Sequence, residues 1–390
     1  MTRFSRLVNR WTRPYFRVMR ICIDARMMGP ENTRGIGRYI EELVRAMLVQ
    51  EPENRYVLIV RKPDHPFKDE PNVETLVADV PWYGLAEQRL MADVFRRAKA
   101  DLVHVPHWNV PMSFRGPLVV TIHDLILRHF PASARTSTRG PLVRWLKNIG
   151  YRATISRAIR HAERILVPAE FTEQDVESFY PKSKGKIIVA GEGMPQIQAP
   201  TTQRGESGAS PFLLYVGSAY PHKGLDDLLV TWPEIQKNHP ELRLILVGEL
   251  DVFMRKLKGD AEAQGLRNVE FLGRVSDERL SELYSGAKAF VFPSHFEGFG
   301  LPPLEALAHG CPVISSDAAS LPEVLGKNGA TYFRAGDSGG ILLAVEKVLA
   351  DTEKAKVAAR QAAQGLVQRH TWLKTARLTL QAYREVLGKK

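Results

Sequence analysis

Two glutamates in the second half of the chain have a spacing that could serve ligand binding. Glu297 and Glu305 lie in the segment 294–317, SHFEGFGLPPLEALAHGCPVISSD, with seven residues between them. The first is in a glycine-containing loop, and the second is in a predicted helix whose first turn tolerates two prolines. Free N–H groups at a helix N-terminus favour an anion, and carboxylates accept hydrogen bonds from sugar hydroxyls. A solvated first-turn acid is the alternative interpretation of Glu305.

Lys223 and two glycines each have an ordinary structural interpretation. Lys223 follows a predicted strand in LLYVGSAYPHKG and could be a surface lysine that starts a helix. Gly35 and Gly37, in TRGIGRY, could form a plain tight turn, and without side chains they would let another group approach the backbone closely. The glycine pattern is not GxGxxG, because Ile40 replaces the last glycine.

The sequence offers little for a metal or a disulfide. It contains no Asp-x-Asp pair, and a proline lies between His104 and His107 in HVPHW. The two cysteines, Cys22 and Cys311, are far apart in the sequence. We therefore expect no metal site, no disulfide and a reducing compartment.

Charge divides the chain into a basic half and a neutral half. Of 390 residues, 44% are hydrophobic and 25% charged, which is typical of a globular protein. Residues 1–200 hold 31 Lys and Arg against 21 Asp and Glu, and the remainder hold 23 against 22. Residues 1–20 include six arginines and no acid, which favours either an amphipathic helix on anionic lipid or an unstructured extension before a start at Met19. No secretory signal, membrane span or nucleic-acid motif is present, so nucleic acid is not an expected partner.

Strand and helix patterns alternate twice along the chain. The first half has predicted strands at 20–25, 56–61, 101–105, 118–122, 164–168 and 186–190, and helices at 36–50, 86–99 and 142–162. The second half has strands at 212–216, 242–248, 269–272, 288–293 and 312–316, and helices at 223–238, 251–264, 277–286, 303–309, 338–365 and 371–387. These patterns predict an α/β protein with two doubly wound, Rossmann-like domains facing a central cleft.

The alternation also sets the expected domain boundaries. We predict a basic extension over 1–18, a first domain over 19–192 and a second domain over 211–368. A linker rich in Gly, Pro, Ser and Thr separates them over 193–210. A final helix within 369–390 is expected to pack back toward the first domain.

Several stretches, in order, resemble one enzyme family. The most specific is EGFGLPPLEALAHGCPVI, and the others include IDARMMGPENTRGIGRYIEEL, VVTIHDL, LLYVGSAYPHKGLDDLL and FLGRVSDERLSELYSGAKAFVFPS. The chain resembles the family 4 retaining glycosyltransferases, which have the GT-B fold, over nearly all of 19–385. Within that family it looks most like the bacterial α-mannosyltransferases of polysaccharide and O-antigen synthesis.

The resemblance implies a role for each candidate residue. Glu297, His123 and Lys223 would act on the donor sugar and its diphosphate, with Asp124 orienting His123. The donor-binding set would be Gly35, Gly37, Ser218, Val275, Asp277, Phe299, Gly300, Leu301 and Glu305. Ser218 stands where the family commonly has an arginine, which leaves the second diphosphate cation unidentified. Asp277 could read guanine, or it could instead be the N-cap of its helix.

The implied activity is transfer of a sugar, mannose or a related one, from a GDP-sugar to a glycan or lipid-linked glycan. The resemblance implies retention by front-face attack, with no divalent metal and no cofactor beyond the nucleotide-sugar. We expect a cytoplasmic protein, peripheral on the inner face of the plasma membrane. The alternatives are a UDP-sugar enzyme, a nucleotide-sugar epimerase, a dinucleotide oxidoreductase and a non-catalytic protein that binds the membrane surface. The oxidoreductase is disfavoured by the missing third glycine.

Overall fold

The computed structural model describes residues 18–29, 35–131, 141–195 and 210–388. Almost all of the predicted basic extension, and residues 196–209 of the predicted linker, therefore lie outside the described residues. The described chain forms two parallel sheets flanked by helices.

The first sheet has seven strands in the order β3-β2-β1-β4-β5-β6-β7. Each neighbouring pair is parallel. The strands are β1 (Arg20–Asp24), β2 (Arg55–Val60), β3 (Val73–Val77), β4 (Leu102–Val105), β5 (Leu118–Thr121), β6 (Arg164–Val167) and β7 (Ile187–Val189).

The second sheet has six parallel strands in the order β10-β9-β8-β11-β12-β13. They are β8 (Phe212–Val216), β9 (Arg243–Val247), β10 (Val269–Gly273), β11 (Ala289–Phe292), β12 (Val313–Ser316) and β13 (Thr331–Phe333). The two sheets confirm the expected pair of doubly wound domains.

Helices cover the faces of both sheets. Beside the first sheet lie α1 (Ile36–Gln50), α2 (Leu85–Arg97), α3 (Ile126–His129), α4 (Pro141–His161) and α5 (Glu170–Phe179). Beside the second lie α6 (Leu225–Asn238), α7 (Val252–Ala263), α8 (Asp277–Gly286), α9 (Leu301–Ala308), α10 (Leu321–Leu325), α11 (Ser338–Ala350) and α12 (Thr352–Arg369). The central strands are buried on both faces, which is why their sequences are continuously apolar.

In each sheet the strand order reverses direction next to the first strand of the domain. This reversal falls between β1 and β4 in the first sheet and between β8 and β11 in the second. In doubly wound sheets, a ligand-binding crevice forms at the carboxyl ends of the strands on either side of such a reversal. The topology therefore predicts a ligand-binding site in the loops that follow these four strands.

The structure corrects several details of the predicted elements, which did not include α3, α5 and α10. The edge strands β3 and β13 were missed, because β3 is half exposed without an apolar run and β13 has only three residues. The predicted helix over 338–365 is two helices, α11 and α12. Asp351 ends the first, and its side chain caps the second by accepting a hydrogen bond from the Lys354 N–H.

The last helix, α13 (Trp372–Leu387), packs on the first domain although it follows the second. Its residues share a buried core with Tyr39 and Ile40 of α1. The Tyr383 hydroxyl contacts His104 Nδ1 on β4 at 2.7 Å, which fixes the helix to the middle of the first sheet. Among the described residues, no helix combines the length and apolar character that crossing a membrane requires.

Candidate functional site

The loop after β8 is held against the end of β11 by a glycine. Gly224 has a φ of +66° and directly precedes α6. A Cβ at this position would overlap the carbonyl oxygen of Pro293, so the close approach of the two segments requires glycine. The approach brings Lys223, in the short 3₁₀ turn before Gly224, beside the loop that contains Glu297.

Lys223 and Glu297 form an ion pair at the reversal point of the second sheet. The Lys223 Nζ lies 2.7 Å from Glu297 Oε1, and the Ser294 hydroxyl donates to the same oxygen at 2.6 Å. The side chains of the lysine and glutamate are 17% and 9% exposed. Lys223 is therefore not an ordinary surface lysine. A ligand that enters the cleft could bind to this cation and this carboxylate in place of their contact with each other.

The neighbouring His222 is neutral at physiological pH. Burial lowers the pKa of His222 to about 3, and the neighbouring Lys223 and His295 act in the same direction. The positive charge of the turn is therefore carried by Lys223. Ser218, in the same connection, brings no charge to the site.

Glu305 is held by contacts from two other elements. Glu305 lies on α9, and its carboxylate accepts a hydrogen bond from the Tyr284 hydroxyl of α8 at 3.1 Å. It also accepts one from Arg38 Nη1 of α1, in the first domain, at 3.0 Å. The Glu305 side chain is only 13% exposed, so its interpretation as a solvated first-turn acid is wrong. Gly300 caps the start of α9, and Phe299 and Leu301 flank it.

The loop after β10 carries Val275 and Asp277. Asp277 is not the N-cap of α8, because the Ser276 hydroxyl accepts the capping hydrogen bond from the Arg279 N–H at 3.2 Å. Asp277 is instead the first residue of the helix and is exposed. The capping alternative for Asp277 is therefore wrong, while its role toward a nucleobase stays a prediction.

The first domain contributes His123 after β5 and the glycines before α1. Gly35 caps α1 with a φ of +61°, and Gly37 is buried in the first turn. His123 Nδ1 lies 3.1 Å from Glu192 Oε1, and Nε2 lies 3.2 Å from the carbonyl oxygen of Pro106. Both partners are hydrogen-bond acceptors, and the two contacts fix the orientation of the ring.

Asp124 does not orient His123, contrary to the expectation from the sequence. Its carboxylate accepts a hydrogen bond from the Ile126 N–H at 2.9 Å, and burial raises its pKa. Glu192 takes that orienting role. Sequence reasoning missed it because it lies in a stretch rich in Gly and Pro, and no motif marks it.

An aromatic cluster lies beside His123, at the carboxyl ends of β1 and β4. Tyr83, His107 and Trp108 pack ring against ring, with centroids 4.7–5.5 Å apart. Tyr83 is 59% exposed, and its hydroxyl contacts His107 Nε2 at 3.2 Å. Burial lowers the pKa of His107 to about 3, so its ring is neutral. Such rings offer flat apolar faces of the kind that pack against sugar rings.

A buried charged network fixes the position of Tyr83. Arg26 donates to Asp24 at 2.7 Å and to Glu87 at 2.6 Å. Glu87 in turn accepts hydrogen bonds from the side chain of Asn109 and from the Tyr83 N–H. Burial raises the pKa of Glu87 despite the adjacent guanidinium. No motif signalled this network in the sequence, because its members come from three separate segments.

The two domains touch directly around the cleft. Gly298 packs so closely on the backbone of His123 that a Cβ would overlap the His123 carbonyl oxygen. The Gly298 carbonyl accepts a hydrogen bond from the Thr172 hydroxyl at 3.2 Å. Glu323 of α10 accepts hydrogen bonds from the N–H groups of Glu170 and Phe171 at the start of α5. These contacts place the glutamates of the second domain opposite the histidine and glycines of the first.

The cleft contains the carboxylates of Glu297 and Glu305, the cation Lys223 and the N-termini of α1 and α9. Within the described ranges, no three His, Cys, Asp or Glu side chains are grouped so as to hold a metal ion. Cys22 and Cys311 are both buried free thiols.

Two family models match the chain in succession. "Glycosyltransferase Family 4" matches residues 33–194, and "Glycosyl transferases group 1" matches residues 200–365. Glycogen synthase of Mycobacterium tuberculosis is 28% identical over 311 residues, or 77% of this chain and 72% of the relative. O-antigen chain mannosyltransferase B of Escherichia coli is 29% identical over 263 residues, or 63% of this chain and 65% of the relative.

Solved structures match nearly the whole chain. The sucrose-phosphate synthase of Thermosynechococcus elongatus aligns with a TM-score of 0.74 at 21% identity, covering 95% of this chain and 99% of that one. HepE of Anabaena, solved with UDP-glucose, aligns with a TM-score of 0.69 at 20% identity, covering 94% and 100%. At these identities the likeness establishes the fold, which is the GT-B fold expected from the sequence.

Proposed function

Since the chain belongs to the family 4 glycosyltransferases, we propose that it moves mannose or a related sugar from a GDP-sugar to a glycan or lipid-linked glycan. The step would belong to the synthesis of a cell-surface polysaccharide such as an O-antigen. One observation carries the proposal. Lys223 and Glu297 meet at the reversal point of the second sheet, and Glu305, on the helix that follows, contacts Arg38 next to the glycines of α1.

Each group of the donor has a partner of matching chemistry. Glu297, with the backbone N–H groups of Phe299, Gly300 and Leu301, would hold the hydroxyls of the sugar and part of the diphosphate. Glu305 would hold the ribose hydroxyls. Lys223 and the backbone at Gly35 and Gly37 would meet the diphosphate, and Val275 and Asp277 the base. His123, fixed by Glu192, would contact the sugar from the first domain.

The chemistry would be retaining and independent of a divalent ion. The bond between the anomeric carbon and the phosphate oxygen breaks, and the acceptor oxygen bonds to that carbon on the same face. The departing phosphate oxygen accepts the proton of the acceptor hydroxyl. Lys223 and the N-terminus of α9 would stabilise the negative charge that develops on the leaving group.

The acceptor would enter along the first domain. The cluster of Tyr83, His107 and Trp108 lies beside His123 and offers an exposed ring face, and Tyr151 packs on Trp108 from behind. Stacking of a sugar on such rings would orient the acceptor hydroxyl toward the donor. Truncation of Tyr83 is expected to raise KM for the acceptor and to leave nucleotide affinity unchanged.

The inner face of the plasma membrane is the proposed location. A lipid-linked acceptor lies at that surface, and the first half of the chain carries the excess positive charge. On α4, Trp145 and Ile149 are 60% and 45% exposed, and Lys147 and Arg152 are exposed as well. Aromatic, apolar and basic side chains together are the composition of a surface that binds anionic lipid.

Calorimetric titration with GDP, UDP, GDP-mannose and UDP-glucose tests the donor. We expect the GDP compounds to bind more tightly. The UDP-sugar alternative is favoured by the structural match to HepE, and tighter binding of UDP and UDP-glucose would establish it in place of GDP.

A second experiment tests the metal requirement. Sugar transfer is expected to persist in EDTA. Activity that vanishes in EDTA and returns with magnesium or manganese would overturn the proposed stabilisation of the leaving group.

A further inference from the structure

An arginine of the first domain reaches the nucleotide side of the cleft. Arg38 is the third residue of α1, and its Nη1 lies 3.0 Å from Glu305 Oε1 of α9. The two residues are 267 positions apart in sequence and belong to different domains. The Arg38 side chain is 33% exposed and that of Glu305 is 13% exposed, so the guanidinium is only partly desolvated by this contact.

The connection after β8 supplies only one cationic side chain, Lys223, for a diphosphate. Ser218 stands where the family resemblance expects a cation, and burial keeps His222 neutral. Lys223 is the cation of that connection, and it is already paired with Glu297. A nucleoside diphosphate carries at least two negative charges, and these increase when the sugar leaves. A second cation is therefore required from outside this loop.

Arg38 has both the chemistry and the position for this task. A guanidinium presents five N–H donors in a planar fork that fits phosphate oxygens, and it stays charged at any relevant pH. Under the proposed function Glu305 holds the ribose, whose 5′ oxygen bears the first phosphate. Under that assignment, the long side chain of Arg38, which extends from α1 to Glu305, would be within reach of the phosphate oxygens. Gly35 and Gly37, on the same turn of backbone, flank it.

We propose that Arg38 supplies the second cation of the diphosphate site. In the donor-free protein the guanidinium pairs with Glu305. When the donor binds, the Glu305 carboxylate turns to the ribose hydroxyls and Arg38 turns to the phosphate oxygens. Without donor, the charges of these four side chains are balanced in two ion pairs, Lys223–Glu297 and Arg38–Glu305. Binding of the donor would break both pairs, because each side chain would then contact the donor. The inference rests on the proposed function and extends it to a residue of the first domain.

The test separates phosphate binding from binding of the rest of the nucleotide. Wild type, Arg38→Ala, Arg38→Lys and Arg45→Ala are titrated by calorimetry with the nucleoside, its monophosphate and its diphosphate, for both guanosine and uridine. Arg45 is the matched control, because it lies on the same helix but pairs with Glu41 at the surface. Circular dichroism confirms that each variant is folded. Arg38→Gln, which keeps length and hydrogen-bonding capacity without charge, is used if the alanine variant does not fold.

We expect Arg38→Ala, or Arg38→Gln in its place, to weaken diphosphate binding ten- to a hundredfold and to lower kcat. Nucleoside affinity should stay the same or rise, because Glu305 loses a competing partner. Arg38→Lys should be intermediate and Arg45→Ala unchanged. An equal loss for nucleoside and diphosphate would show that Arg38 only positions Glu305, and an unchanged diphosphate affinity would also overturn the inference. If wild type binds neither nucleoside diphosphate, the proposed function itself fails.

Discussion

Glu297 and Glu305 belong to one motif but face different parts of the proposed donor. Glu305 would bind the ribose, which does not change during the reaction, so Glu305→Ala should weaken donor affinity by about 1.5–3 kcal/mol. Glu297 would contact the reacting sugar, so Glu297→Gln should chiefly lower kcat. Calorimetry and steady-state kinetics measure the two effects. The control is Glu282→Ala, a surface acid on α8 that pairs with Arg279. Wild-type kinetics in both variants would contradict a ligand-binding role.

His104, a buried histidine on β4, should make the stability of the fold depend on pH at mild acidity. His104 contacts the Tyr383 hydroxyl at 2.7 Å and the Thr121 hydroxyl at 2.9 Å. Burial lowers the pKa of His104 from 6.5 to about 3. The unfolded chain therefore binds an extra proton between these values. The stability contributed by this neutral histidine is complete above pH 6.5 and is lost as the pH falls below it.

We therefore expect His104→Gln to reduce the pH dependence of folding. Below pH 6.5 the free energy of unfolding of the variant should fall less steeply with falling pH than that of wild type. The two slopes should differ by about 1.4 kcal/mol per pH unit. Denaturant titrations followed by circular dichroism between pH 5 and 7.5 measure the slope. Thr121→Val removes one of the same hydrogen bonds without removing a titrating group, so it should lower stability and keep the wild-type slope. Parallel curves for His104→Gln and wild type would refute the assignment.

At the scale of the elements, the loop before α9 sets how closely the domains approach. Gly298→Ala adds a methyl group whose nearest neighbours are His123 and Asp124 of the other domain. The clash lies between the domains, so each sheet should keep its fold while the cleft is forced open. Misplacement by about 1 Å can cost roughly a hundredfold in rate, and we expect a loss of kcat/KM of that order.

Kinetics together with small-angle scattering test this effect. The scattering should show a slightly larger radius of gyration for Gly298→Ala at an almost unchanged melting temperature. Gly259→Ala is the control, because no atom lies within 4 Å of the added methyl group on α7. That variant should stabilise the helix by about 1 kcal/mol and keep full activity. Full activity of Gly298→Ala would show that this contact does not govern catalysis.

For the whole molecule, the uneven charge predicts reversible binding to anionic membranes. Each basic residue near such a surface contributes about 1 kcal/mol, and salt screens the attraction. We expect co-sedimentation with vesicles that contain anionic lipid, weaker binding as salt rises, and a smaller but persistent affinity after deletion of residues 1–18. Equal behaviour with neutral and anionic vesicles, or no binding at low salt, would contradict the prediction.

Reversing two charges on α4 tests whether this helix forms the membrane-binding surface. Lys147→Glu with Arg152→Glu on α4 should weaken vesicle binding further in the deletion variant. The matched control is Lys256→Glu with Lys258→Glu on α7 of the second domain, where both lysines are exposed to a similar degree. Equal losses from the two pairs would indicate attraction by net charge rather than by a defined face.

Local pattern was enough to predict most elements of the fold. Apolar runs of strand length alternate with helical periods, and burial of strands such as β8 and β11 on both faces requires that composition. The segment 294–317 also identified Glu297 and Glu305 as candidate ligand-binding residues, because they lie in one loop and the helix that follows it. Edge strand β3 escaped prediction because a half-exposed strand needs no apolar run.

What only the tertiary structure decided is which distant residues meet. Arg38 reaches Glu305, Glu192 orients His123, and Gly298 packs on the first domain. No local pattern shows the contacts of these residues, since an arginine on a helix or a glutamate in a Gly- and Pro-rich stretch is ordinarily solvated. Their partners are set by the strand order of two sheets and by how the sheets face each other. The periodicity of apolar residues shows which face of a helix or strand is buried. It does not show which residues meet in a cleft between domains, because those residues come from segments that are far apart in the sequence.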